Sequence, residues 1–353
     1  MRTLTRDDGF TLTELLVSTT ITLMVLGAAM TTVKNALTIN DTGTQLADAN
    51  QNMRAGTNLL IKDLMQAGRS ITVGGIPIPS GAGATTINRP SPPGMVYTFN
   101  NTTATTLPAI YTGSGLGPSV DNSTTDMITM LMIDPFDCVN VAAGAIAANA
   151  GSVTLGATSP WITGSNAVAP CDKAAATKPG DLVWFNSGNG AIQTVTRVDS
   201  STAYFDPNDW FNFNQAGNAA QGTLMQLRVG TAFPAMTLYR LTMVTYYVDA
   251  TTTPGTPRLT KMINHFAPQA LAGVVEDLDL SYDLVDGVTN PAAVQSLPYT
   301  LNGLTYTSNQ IRKVNIHVGV RSDLLSQVKN DYIRNHVSTS VSIRDLASVS
   351  RYF

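Results

Sequence analysis

Between Phe10 and Val33 the chain carries a single charge, Glu14, in 24 residues. No other feature constrains the fold as strongly. As an α-helix this stretch would span roughly 36 Å, and the hydrocarbon core of a bilayer requires about 30 Å. Lys34 closes its far end, and Thr19, Thr20, Thr22, Thr31 and Thr32 dilute its apolar character. In a helix those hydroxyls can bond back to carbonyls of the preceding turn, which lowers their cost in lipid. Arg2 and Arg6 precede the span and only Lys34 follows closely, so the positive-inside rule places the remainder outside the cytoplasm.

Three arrangements fit such a segment. A cleavable secretory signal would use residues 15–26 as its core and Gly27-Ala28-Ala29 as the small residues before a cut. A plain anchor would stay uncut. A prepilin-type signal would be cut ahead of the apolar run and keep it. Glu14 favours the third, because a carboxylate at the head of a membrane segment is costly unless it is paired. Arg2, Arg6, Asp7 and Asp8 form a short polar leader ending at Gly9. Cleavage after Gly9 would free the amino group of Phe10 and make Glu14 the fifth residue of the product. A cation on one subunit could then neutralise the carboxylate of another.

The run "GFTLTELLVS" resembles the class III signal of type IV pilins and their relatives. The resemblance implies that a membrane-embedded prepilin peptidase cuts between Gly9 and Phe10. It also implies N-methylation of Phe10 and a role for Glu14 in subunit assembly. Asp7-Asp8 departs from the basic residues these leaders more often carry.

Beyond Lys34, Leu46, Met53, Leu60 and Ala67 recur every seven residues, with Asn50, Thr57 and Leu64 offset by four. That spacing predicts an amphipathic helix with one buried stripe, leaving Asp48, Arg54, Lys62 and Asp63 for other faces. Gly27, Gly43 and Gly56 each cost such a helix about 1 kcal/mol relative to alanine, and "NDTG" at 40–43 is the expected bend. Gly68 is a fitting stop. "MRAGTNLLIKDLMQAGRS" resembles minor pilins of the PilW family through Arg54, Leu59, Leu60, Asp63, Leu64, Ala67 and Gly68.

From Ser70 onward, turn residues divide the chain into short strand-like runs. "DMITMLMI" (126–133) suits a buried strand, and "GDLVWFN" (180–186) and "AIQTVTRV" (191–198) suit a hairpin about "SGNG". "YRLTMVTYYVD" (239–249), "RKVNIHVGVRS" (312–322) and "VSTSVSIRD" (337–345) complete the set, the first two read as strands with one buried face. Several runs, "TDMITM", "PGDLVWF", "VTYYVD", "VEDLDLSYDL" and "SVSIRDL" among them, follow the order seen in PilW-like proteins. Segments near 139–170 and 205–235 lie outside that resemblance and read as insertions. The expected architecture is α+β: a leader (1–9), a long helix (10–69, transmembrane over 10–33) and a β-rich globular head (70–353).

The chain shows no enzyme constellation. His265, His317 and His336 lack ligand spacing, "GSGLG" (113–117) reads as a turn, and no phosphate-binding loop or nucleophile elbow occurs. The net charge of -3 argues against a nucleic-acid partner. Cys138 and Cys171 are read as a possible disulfide or as two buried thiols. "DPFD" (Asp134, Asp137) and "DPNDW" (Asp206, Asp209) offer hard oxygens but no EF-hand series, and solvated turns are the plainer reading. Trp161, Trp184, Trp210 and Phe211 are read as core or as an adhesive surface, and Trp184, inside an apolar strand, as core.

The resemblance implies a non-enzymatic minor pilin without cofactor or metal, priming assembly in a pilus tip complex. Its expected partners are other minor and major pilins, the prepilin peptidase, the inner-membrane assembly platform and the lipid bilayer. Its expected location is the inner membrane with the head in the periplasm, then the pilus. A type II secretion pseudopilin, a tip adhesin or DNA-capture module, and a secreted enzyme with an ordinary signal are the rival readings.

Overall fold

In the computed structural model, residues 10–343 are described, apart from 73, 165–170, 172–174 and 327–330. Gly9, the rest of the leader and Arg344-Asp345 lie outside them.

Helix α1 (Leu12–Leu64) is unbroken for 53 residues, a length of roughly 80 Å. It runs straight through 40–43 as helix, so the expected break there is absent. Gly43 has open space around the position of a Cβ. The helix ends at Leu64, four residues before the left-handed Gly68 (φ 82°).

Ten main strands form the head: β1 (Ile110–Gly113), β2 (Met127–Val141), β3 (Leu182–Ser187), β4 (Asn189–Thr194), β5 (Met236–Asp249), β6 (Arg258–Ile263), β7 (Gln269–Ala272), β8 (Val275–Leu284), β9 (Ile311–Arg321) and β10 (Arg334–Ser342). The first seven make one antiparallel sheet around β5. Strand β2 follows one side of β5, with β1 beyond it. The other side is shared, β3 taking residues 237–241 and β6 residues 244–249. Strands β8, β9 and β10 form a second antiparallel sheet.

Period-two alternation fixes which face each residue joins. In β3, Leu182 and Trp184 enter one core, while Val183 and Phe185 enter the opposite one. Strand β5 is buried on both faces over most of its length, which corrects the expectation of one buried face. It lies at the centre of a covered sheet. Strand β9 alternates as expected.

The buried stripe of α1 fills the space between the two sheets. Met53, Leu60, Leu64 and Ala67 share a core with Val244, Tyr246, Leu259, Val314, Ile316 and Val318. Thr57 is buried as well, and Leu46 and Asn50 are half-buried. Gly56 is where the helix comes closest to β7. A Cβ there would lie 2.8 Å from that of Ala272 and 3.1 Å from Leu259 Cδ2. The glycine that is costly for helix propensity therefore permits the contact.

Asp63 is a second correction. It is buried on the sheet side, accepting from the Tyr246 hydroxyl at 2.7 Å and pairing with Lys261 Nζ at 2.5 Å. Burial, together with the bond to Asp63, pushes the Tyr246 hydroxyl far above its ordinary pKa. A charged residue on the stripe is tolerated because β5 and β6 each bring it a partner.

The two segments read as insertions supply a core of their own. Ile146, Val153, Trp161, Phe205, Leu224 and Phe233 cover Val183, Phe185 and Leu238. Phe211 and Phe213 cross to the other face, packing with Ile76, Ile87, Trp184 and Leu241.

Candidate assembly surface

The first half of α1 stands clear of the head among the described residues. Every residue from Phe10 to Leu37 is exposed, and Phe10 itself is 82% exposed. The helix is long and apolar enough to cross a membrane. Its hydroxyls are internally satisfied. Thr20 donates to Leu16 O at 2.7 Å, Thr22 to Ser18 O at 2.7 Å, Thr31 to Gly27 O at 2.8 Å and Thr32 to Ala28 O at 3.0 Å. These back-bonds present methyl groups outward and keep the polar atoms within the helix.

Glu14 sits in the first turn. Thr11 is the N-cap, its Oγ1 accepting from the Glu14 N–H at 3.2 Å. The Glu14 carboxylate accepts in return from the Thr11 N–H at 3.1 Å and hydroxyl at 2.8 Å. This is a capping box, and the signal for it, Thr-x-x-Glu ahead of an apolar run, stands in the sequence. Reading Glu14 only as a contact between subunits missed this local role. The carboxylate also faces the positive end of the helix dipole. Phe10 lies one residue ahead of the cap, so its amino group and the carboxylate share the same end of the helix.

In the head, the acidic clusters are structural. Tyr239 lies opposite Cys138 and Leu241 opposite Ile133, so residues 134–137 bulge against Arg240 alone. Arg240 donates through Nε to Asp137 at 2.7 Å and through Nη2 to Ala175 O at 2.6 Å, and it pairs with Asp181. Trp161 Nε1 donates to Asp137 at 3.1 Å. Asp209 accepts from the Thr194 hydroxyl at 2.6 Å and the Asn214 N–H at 2.9 Å. Burial raises its pKa. Asp206 accepts from Thr196 at 2.9 Å. Among the described residues no three His, Cys, Asp or Glu side chains converge on a metal position.

Cys138, at the end of the bulge, is disulfide-bonded to Cys171, with Cα atoms 4.9 Å apart and a sequence separation of 33. Closing a loop of that length restricts the unfolded chain by about 3–4 kcal/mol in the entropic account. Reduction, or the Cys138→Ala/Cys171→Ala double variant, is therefore expected to lower the thermal midpoint clearly. An unchanged midpoint on adding dithiothreitol would remove the bridge from the stability of the head.

Trp161, Trp184 and Phe211 are buried, so no exposed aromatic cluster forms from them. Trp210 alone stays on the surface, stacked on His265 with ring centroids 3.8 Å apart. His317 lies on the outer face of the second sheet, its Nδ1 2.9 Å from Ser338 Oγ. The other glutamate, Glu276, bridges two cations, Arg321 Nε at 2.7 Å and Arg334 Nε at 2.9 Å.

Comparison with known proteins bears on the amino terminus. Residues 4–30 match the family model of the prokaryotic N-terminal methylation motif. Neither the curated proteins nor the solved structures provide a match. A prepilin-type motif implies processing by a prepilin peptidase and assembly with other pilins. The chain thus carries a class III prepilin-like signal on a helix fit for membrane anchoring and pilus assembly, which supports a type IV pilin-like protein.

Proposed function

We propose that this chain is a PilW-like minor pilin, a non-enzymatic subunit that helps to prime a type IV pilus from a complex at its tip. The single observation that carries the proposal is the division of one continuous helix. Its first half bears the methylation motif and is exposed and apolar, while its second half is locked into a disulfide-bonded β-rich head. A helix that only anchored a periplasmic protein would not need continuity with the core of the head.

In this reading the prepilin peptidase cuts between Gly9 and Phe10, and Phe10 is N-methylated. The exposed half of α1 holds the subunit in the inner membrane, head in the periplasm, until it is extracted into the filament. There the new amino group of one subunit neutralises Glu14 of another. The large, turn-rich head favours a pilus subunit over a pseudopilin, and the order of the strand motifs carries the PilW-like resemblance.

Intact-mass and amino-terminal analysis of membrane-extracted protein, made with its peptidase present, tests the pathway. The expected product begins at methylated Phe10. A chain beginning near Met30, or an uncut chain, would overturn the proposal.

A further inference from the structure

Sheet edges expose unpaired backbone groups, and this fold seals two of them with buried ionisable side chains. At β1, the guanidinium of Arg89 donates to Thr112 O at 2.9 Å and Tyr111 O at 3.2 Å. Burial lowers its pKa to about 10. At β8, Asp126 accepts from the Leu280 N–H at 2.7 Å and donates its own N–H to Leu278 O at 2.8 Å. Tyr282 exchanges both backbone bonds with Val294, at 2.8 and 3.0 Å.

The outer edge of β10 is built differently. Ser322 N–H donates to Ile333 O at 2.8 Å, and Ile343 N–H to Arg312 O at 3.0 Å. With the regular pairing of β9 and β10, these bonds fix the parity of the strand. Odd-numbered residues from 333 to 343 turn their backbone groups toward β9, and the even-numbered ones turn outward. The outward N–H of His336 is taken by Asn335 Oδ1 at 2.9 Å. Among the described residues, the backbone groups of Ser338, Ser340 and Ser342 meet no partner. The strand is nine residues long and contains no proline or lysine, two devices that usually protect an edge.

We propose that β10 is a docking edge that takes an extended segment of a different subunit in the same assembly as an added strand. The inference rests on the pilin reading above. A second copy of this chain paired antiparallel through the same edge does not fit. Antiparallel pairing of β10 with itself would relate two copies by a two-fold axis normal to the sheet. Helix α1 lies on the inner face of that sheet, against Val314, Ile316 and Val318. The two-fold would reverse it, and the two apolar halves would leave in opposite directions, which one membrane forbids. The strand's chemistry states what it accepts. Main-chain bonds give affinity, the row of Ser338, Ser340 and Ser342 accommodates hydroxyl or β-branched neighbours, and His336, without an ion-pair partner among the described residues, favours a carboxylate opposite it.

Hydrogen exchange on the full detergent-solubilised chain, alone and co-purified with the pilins it assembles with, tests this. The Ser338, Ser340 and Ser342 amides are expected to exchange at least about tenfold more slowly in the complex. Ser340→Pro removes one outward N–H and no bond to β9, so the chain should keep its thermal midpoint while complex recovery falls at least about tenfold. Equal exchange in both states, protection already present in the chain alone, or a dimer by light scattering that Ser340→Pro abolishes would each overturn the proposal. Cleavage ahead of Phe10 is scored in the same samples. Its absence in the wild type defeats the pilin reading, whereas normal cleavage with an unprotected edge defeats only this one.

Discussion

Glu14→Gln is expected to be cut and to fold normally, yet to enter filaments at least about tenfold less often than the wild type. The structure makes this variant more informative than Glu14→Ala. Glutamine still serves at the third position of a capping box, so the Thr11 bonds survive. Only the charge is lost. If the carboxylate acts as a cap alone, Gln should behave as wild type and Ala should be defective. If it neutralises a neighbour's amino terminus in lipid, Gln and Ala should fail alike. A tenfold change needs only about 1.4 kcal/mol, and a charge pair in a membrane can supply it. Quantifying the subunit in sheared, purified pili against its level in the membrane separates the two cases.

The second large effect is expected at Asp63. Asp63→Ala would leave the Lys261 ammonium, 14% exposed, without its carboxylate, and the Tyr246 hydroxyl without its acceptor. Breaking a buried pair from one side costs about 3–5 kcal/mol, chiefly through the charge left behind. The seam between α1 and the larger sheet should therefore loosen, seen as a lower denaturation midpoint and faster proteolysis of the detergent-solubilised chain. Adding Lys261→Met removes the orphaned cation, and the double variant should recover at least half of the loss. A double variant no more stable than Asp63→Ala would mean that the Tyr246 bond, rather than the ion pair, holds the seam.

The stripe at Met53, Leu60 and Ala67 was legible because a 3.6-residue period and a single buried face leave a regular trace. The hairpin of β3 and β4 was legible for the same kind of reason, since its turn is local. Asp63 was misplaced because its partners, Tyr246 and Lys261, are nearly 200 residues away in sequence, and no local pattern reports them. Arg89 and Asp126 seal strand edges that exist only after two sheets have formed. The helix through 40–43 stayed whole because glycine weakens a helix without breaking its hydrogen bonds.

By itself, then, the order of residues from Gly9 to Val33 determined the signal, the membrane-length segment and the unusual carboxylate, because each depends on neighbours within a few turns. It determined the α+β character and the positions of six of the ten main strands, through apolar runs, turn residues and alternation. Tertiary structure alone decided that β5 is covered on both faces, that the segments near 139–170 and 205–235 form a second core, and that the outer edge of β10 meets no strand among the described residues. Those are properties of pairings between distant segments, where one residue's environment is set by whichever strand arrives beside it.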